Sequence, residues 1–176
     1  MKTEEIILNN FQLKYPLERL ALLSDILFLD IETTGFLTGS SSIYLIGCAY
    51  YEDGNWKLRQ WFAQTPDEES EILSAFLAFA EPYSYLIHYN GNTFDLPFLR
   101  KKADKYGISY TLSSKKGLDI FRRITPYKNF LKLPDCKLKT IESFLGIHRE
   151  DIYTGGQLIQ VYHDYTSSHD YDLYHT

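Results

Sequence analysis

In the run Ile26 to Phe36, ILFLDIETTGF, two carboxylates stand one residue apart, Asp30 and Glu32, within a stretch that otherwise has the residues of a buried strand. Side chains two apart on a strand share a face, so the pair would hold two negative charges side by side where a core should begin. Unpaired carboxylates are costly to bury, and hard oxygen donors of this kind suit a bound divalent cation. The alternative is that the strand ends near Leu29 and both acids are solvated turn residues. A third carboxylate, Asp95, follows another apolar stretch in LIHYNGNTFDLPFL, Leu86 to Leu99, just past a strand and at the start of a helix. Loops beyond the strand ends of an α/β sheet converge on one edge, so Asp30, Glu32 and Asp95 could meet in one cleft. Asn90 and Asn92 in the same loop can each cap the helix or touch a ligand, and Gly91 suits the bend between them.

The elements that would place these residues are readable from pattern. Leu17 to Ile26 has helical spacing and precedes a strand from Ile26. Ser42 to Tyr51 and Trp56 to Ala63, joined by Glu52-Asp53-Gly54-Asn55, form a hairpin signal. Ile72, Leu73, Phe76, Leu77 and Phe79 recur at helical period and Pro82 closes that helix. A strand over Ser84 to Tyr89 leads through Asn90-Gly91-Asn92-Thr93 into a helix ending at Gly107, with Pro97 tolerated in its first turn. A short strand is expected near Lys116 to Ile120, with helices near Ile120 to Thr125 and Lys139 to Leu145. A three-strand meander followed by alternating strands and helices implies an α/β fold, a mixed sheet with helices on both faces.

The chain has 176 residues, 44% of them hydrophobic, enough for one sizeable core and too few for two. No apolar run reaches the length of a membrane span, and the N-terminus lacks the pattern of a signal peptide, so a cytoplasmic location is expected. Cys48 and Cys136 fit neither a disulfide framework nor a zinc pattern and read as free thiols. The net charge is −5, yet Arg100 to Lys139 holds twelve Lys and Arg against three acids, Asp104, Asp119 and Asp135. A basic surface on an acidic body is the footprint of a phosphate-backbone binder, the other reading being a solvated face of Lys-rich helices. Lys115, Lys116, Arg122 and Arg123 are the candidate substrate contacts in that segment. Tyr106, Tyr110, Phe121, Tyr127 and Phe130 interleave with it and could stack bases of a single strand or simply pack.

The two acidic motifs resemble those of the DEDD superfamily of 3′-to-5′ exonucleases, which have the ribonuclease H-like fold. FLDIETTGF is similar to the first motif, Asp-x-Glu followed by Thr and Gly, and YNGNTFDLPFL to the second, Asn-x-x-x-Phe-Asp. Lys137 to Tyr165 is similar to the segment that distinguishes the YprB-like group, and the resemblance spans Leu27 to Tyr165. It implies a ribonuclease H-like mixed sheet of five strands over residues 25–176, preceded by an N-terminal helical extension over 1–24. It also implies a metal-dependent nuclease that hydrolyses single-stranded DNA or RNA with two Mg²⁺ or Mn²⁺ ions. Asp30 would bridge both ions, Glu32 would complete the one that activates water, and Asp95 would hold the other. Thr33 and Asn90 would contact substrate.

The family's fourth acid lies in a late helical motif, Tyr-x-x-x-Asp or His-x-x-x-x-Asp, and neither spacing occurs in this tail. In the YprB-like group the last motif is expected beyond residue 176, so the chain is expected to stop before its last catalytic helix. Asp164, Asp170 and Asp172 are the fallback acids. A nucleic-acid-binding module with weak or no catalysis is therefore the alternative reading.

Overall fold

The computed structural model describes residues 1–9, 11, 13–147, 153–168, 170 and 173. Six strands form one mixed sheet in the order β1-β4-β3-β2-β5-β6. They are β1 (Lys2–Ile7), β2 (Ile26–Thr33), β3 (Ile43–Glu52), β4 (Asn55–Phe62), β5 (Tyr85–His88) and β6 (Lys116–Asp119). The helices are α1 (Glu69–Ala80), α2 (Asp95–Tyr106), α3 (Ile120–Ile124), α4 (Leu138–Phe144) and α5 (Gly155–Ser168). β1, β4, β3 and β2 pair antiparallel, whereas β5 and β6 run parallel to β2.

The expected sheet of five strands gains one. Residues 1–24 are not a helical extension: Lys2–Ile7 adds β1 to the edge of the sheet beside β4, in register from Lys2 opposite Phe62 to Ile7 opposite Lys57. Glu5 anchors it, accepting the hydroxyl of Tyr50 at 2.6 Å and Arg59 Nε at 2.8 Å. The apolar spacing of Leu17 to Ile26 serves two single 3₁₀ turns, Leu17–Arg19 and Leu23–Asp25, rather than an α-helix. Those turns lay Leu17, Leu20 and Leu23 onto Ile26, Trp56 and Ile87, so packing onto the sheet overrides local periodicity.

β2 lies at the centre of the sheet and alternates from Leu27 to Glu32, where its register with β3 shifts. Leu27, Leu29 and Ile31 are buried on the face packed by Ile72, Leu73 and Phe76 of α1 and by Phe98 and Leu99 of α2. Phe28, Asp30 and Glu32 take the other face, with Asp30 exposed and Glu32 half-buried. The strand runs through both acids to Thr33, so they are not turn residues. The β3–β4 hairpin closes through Asp53 (φ 51°) and Gly54 (φ 80°), left-handed values matched to a two-residue hairpin turn.

A buried charge cluster ties α1, α2 and the β2–β3 connection together. Glu69 accepts Ile43 N–H at 2.7 Å and the Tyr106 hydroxyl at 2.6 Å, and pairs with Lys102 Nζ at 3.0 Å. Lys102 also donates to the carbonyl of Ser41. Removing one partner of a buried pair costs about 3–5 kcal/mol, so this knot fixes the start of β3 against both helices. Cys48 and Cys136 are buried free thiols. Among the described residues no helix is long and apolar enough to cross a membrane.

Candidate functional site

β2, β5 and β6 are parallel, so their C-terminal ends share one edge of the sheet. Asp30 and Glu32 end β2, the turn Asn90 to Phe94 leaves β5, and Asp119 ends β6. The pairing of β2 with β5 stops at Phe28 opposite Ile87. Farther along β2 the amide of Ile31 is taken by a side chain: Asp95 Oδ1 accepts Ile31 N–H at 3.2 Å. Asp95 thus completes a hydrogen bond that a longer β5 would otherwise supply. It is the first residue of α2, a position where the amide ends of a helix favour a carboxylate.

The three acids feel one another. Asp95 is only 5% exposed, and burial first, then the charge of Asp30 and finally that of Glu32, lifts its carboxyl from 3.8 to about 7 against the amide hydrogen bonds of Asp95 and Ile31. Burial and Asp30 likewise raise Glu32. Asp30 and Glu32 open onto a groove of about 440 Å³ over the second sheet face, floored by Gly47, Ala49 and Leu58. Glu32 also borders a cleft of about 450 Å³ with Tyr44, Phe62 and Tyr162, where Tyr44 and Tyr162 stack with ring centres 4.4 Å apart.

Among the described residues no group of three or more His, Cys, Asp or Glu is arranged to hold a metal ion. The donor chemistry nonetheless fits hard divalent cations: the acids are all carboxylates, and their charges raise one another's affinity for a positive partner. Asp30 and Glu32 share one face of β2, and Asp95 is bound to Ile31, the residue between them.

The remaining candidates divide. Thr33 is buried and its hydroxyl donates to the Gly35 carbonyl at 2.8 Å, shaping the exit of β2. Asn90 adopts φ 62° and its amide is held by Asp119. Arg122 follows the C-terminal end of β6, its Nε 3.9 Å from Asp119, and so stands on the acidic edge. Arg123 borders a different groove, with Tyr15, Leu17 and Tyr85. Lys115 and Lys116 are at the far end of β6: Lys116 is level with Tyr85, which is itself level with Ile26. Four residues of strand, roughly 13 Å, separate that level from Asp30. Lys115 Nζ donates to the carbonyl of Glu81 at 2.9 Å and to that of Tyr83. The four basic residues therefore do not form one patch.

Of the interleaved aromatics, Tyr106 and Tyr110 bond to Glu69 and to the Leu96 carbonyl and pack on the core. Tyr127 and Phe130 are exposed. Asp164 lies on α5 and accepts from Gln160 at 2.9 Å, while Asp172 falls outside the described residues.

Three features escaped the reading of residue types. Phe36 is 85% exposed beside Leu37 at the tip of the β2–β3 connection and meets Phe94, the residue before Asp95, edge to face at 6.0 Å. Asp119 was visible only as an acid in a basic segment, although its place between a strand and a helix is an N-cap signature. α5 opens with Thr154 and Gln157 bonding reciprocally: Thr154 N–H donates to Gln157 Oε1 at 2.8 Å, and Thr154 Oγ1 accepts Gln157 N–H at 3.4 Å. This Thr-x-x-Gln box is a start signal that the paired glycines after it obscure.

A sequence model of the RNase H superfamily matches residues 27–176. A DNA polymerase of Thermococcus hydrothermalis is 30% identical over 153 residues, covering 70% of this chain and 9% of that polymerase. In backbone, the chain is similar to the family B DNA polymerase of Pyrobaculum calidifontis, with TM-score 0.59 at 17% identity over 79% of this chain and 21% of that one. It is similar also to E. coli exonuclease I in its zinc-bound complex with single-stranded DNA, with TM-score 0.53 at 14% identity over 72% and 36% of the two chains. This chain spans a minor part of the length of each of these proteins.

Proposed function

The chain belongs to the RNase H superfamily, and from that premise we propose that it is a nuclease domain that hydrolyses phosphodiester bonds of single-stranded DNA or RNA from the 3′ end, with Mg²⁺ or Mn²⁺. The observation that carries this reading is the electrostatic coupling at the acidic edge: Asp95, on α2, is lifted to about 7 by burial and by the two acids of β2, and Glu32 is raised by burial and by Asp30. Perturbed acids of this kind cluster where charge is to be handled.

Asp30, Glu32 and Asp95 would hold the cations. Once bound, such ions offset the negative charge that develops on the attacking and leaving oxygens of a phosphodiester. The chain's own part is to keep the carboxylates in place: β2 presents two on one face, and Ile31 N–H holds the third. Phe36 and Leu37 offer an apolar edge against which a terminal base could rest, and Arg122 offers a cation for a phosphate. The 3′-to-5′ direction is what the resemblance of the two acidic motifs, around Asp30 and Asp95, to those of the DEDD exonucleases implies.

A second reading, a nucleic-acid-binding module with weak or no catalysis, is favoured by one observation: the described acids form no closed ligand cluster. End-labelled single strands of DNA and RNA incubated with Mn²⁺ or Mg²⁺ separate the two. Stepwise shortening from the 3′ end, abolished by Asp30→Ala and by EDTA, is expected. Binding without cleavage at any metal concentration would favour the module, and cleavage that survives Asp30→Ala would remove the assignment of the site.

A further inference from the structure

Asp119 does more than cap a short helix. Its carboxylate is 5% exposed and accepts three backbone amides: Asn90 N–H at 2.9 Å and Arg122 N–H at 3.5 Å on Oδ1, and Asn92 N–H at 3.3 Å on Oδ2. The amide between Asn90 and Asn92 is held by a different strand, since His88 Nδ1 accepts Gly91 N–H at 3.2 Å. His88 and Asp119 are opposite one another in the parallel pairing of β5 with β6. Two buried strand side chains thus hold three successive amides of the turn that leads into α2.

The turn has little freedom left. Asn90 takes φ 62°, Thr93 N–H donates to the Asn90 carbonyl at 3.0 Å, and Leu96 N–H donates to the Gly91 carbonyl at 2.9 Å. A Cβ on Gly91 would lie 2.7 Å from Cγ of His88, so the imidazole fills the space beneath it. Because Nδ1 is an acceptor, the proton of the neutral ring is on Nε2, which is buried without a hydrogen-bond partner among the described residues and faces Gly117. Burial lowers the affinity of this ring for a second proton, outweighing the Asp119 charge. His88 is therefore a neutral prop, in keeping with its place in a strand.

Resting on the nuclease reading, we infer that Asp119 is a positioning residue for the hydrolysis: by holding the amides of Asn90 and Asn92 it fixes the β5–α2 turn, and through that turn the place of Asp95. Asp95 then has two attachments, the turn behind it and Ile31 N–H in front. Nothing requires a carboxylate merely to cap the five residues of α3, which Ser or Asn would cap as well. A two-oxygen acceptor is required to hold two amides two residues apart as well as the cap.

The test compares Asp119→Ala and Asp119→Asn in the wild-type and Asp95→Asn backgrounds. Three quantities are read: Mn²⁺ affinity by calorimetry, steady-state cleavage of a labelled single strand, and exchange of the Ile31 amide in metal-free protein. Partners that orient a metal ligand are typically worth roughly 10- to 100-fold in affinity or rate. Asp119→Ala should weaken Mn²⁺ and lower kcat by that amount, with KM for the strand moving less than about threefold, and should speed Ile31 exchange. Asp119→Asn, which keeps one acceptor oxygen, should fall between. On the Asp95→Asn background neither change should lower Mn²⁺ affinity or kcat further. Equal losses in both backgrounds, a change in KM alone, or unaltered Ile31 exchange would overturn the inference. If Asp119→Ala does not fold, Asp119→Asn carries the same comparisons. A wild type that neither binds Mn²⁺ nor cleaves removes the nuclease reading and the catalytic half of the inference, while Ile31 exchange still reports whether Asp119 holds Asp95.

Discussion

Asp95 sits where a carboxylate is awkward when charged and useful when a cation arrives. Its folded pKa, about 7, lies above the ordinary 3.8. A group shifted in that direction contributes stability that is complete below pH 3.8 and is lost as pH rises through 7, because the folded state then holds a charge it would rather neutralise. Asp95→Asn removes that charge and keeps an oxygen to accept Ile31 N–H. In EDTA at pH 8 the variant should be more stable than the wild type, by at most about 4 kcal/mol from the size of the shift. The advantage should fade toward pH 4. Urea unfolding of both proteins at pH 8, 6 and 4.5 checks this, and a difference independent of pH would mean that burial of this carboxylate carries no strain. Glu32 shifts the same way through burial and Asp30 in both proteins, and loss of the Asp95 charge beside it favours the variant at high pH as well.

At the scale of elements, the two ends of β6 have different tasks. Arg122 follows its C-terminal end, at the acidic edge, whereas Lys115 and Lys116 begin it, and Lys115 is spent on the carbonyls that close the connection from α1 to β5. Arg122→Gln should weaken binding of a single strand and lower the slope of log K against log salt by about 0.7, the contribution of one phosphate contact. Lys116→Gln should leave both unchanged. Fluorescence anisotropy over a salt series reads the two variants, and equal effects would mean that the strand crosses the whole of β6. The sequence misjudged this geometry because adjacency in the chain hides the length of a strand. Hairpin β3–β4, α1 and α2 were legible, since Asp53-Gly54, Pro82 and Gly107 are local stop signals that agree with apolar period. β1 was not: Lys2–Ile7 is a polar edge strand whose place depends on Tyr50 and Arg59 meeting Glu5, contacts more than forty residues away. The turns of Leu17–Asp25 share the apolar spacing of a helix, because such spacing reports which side chains are buried and not how many residues each turn takes.

For the molecule as a whole, the candidate acids were legible because strand period and loop position show that Asp30, Glu32 and Asp95 could share one edge. Their support was not legible, because Asp119 and His88 act only through a register between β5 and β6 that no local pattern announces. The same support bears on how long the protein lasts. Asn90 precedes Gly91, and in a flexible peptide such a pair ages when the glycine nitrogen attacks the asparagine side-chain carbonyl and expels its amide as ammonia, closing a ring that water then opens to an acid. Here that nitrogen is engaged with His88 and its carbonyl with Leu96, while Asn90 is fixed in a left-handed conformation. Ring closure requires the backbone to leave this arrangement, so chemical ageing at Asn90 waits on local opening of the turn. Mass spectrometry of stored samples should find deamidation there slower in the folded protein than in the peptide YNGNTF, and faster in His88→Ala. The turn that aims a carboxylate is thus also a guard on the chemical lifetime of the chain.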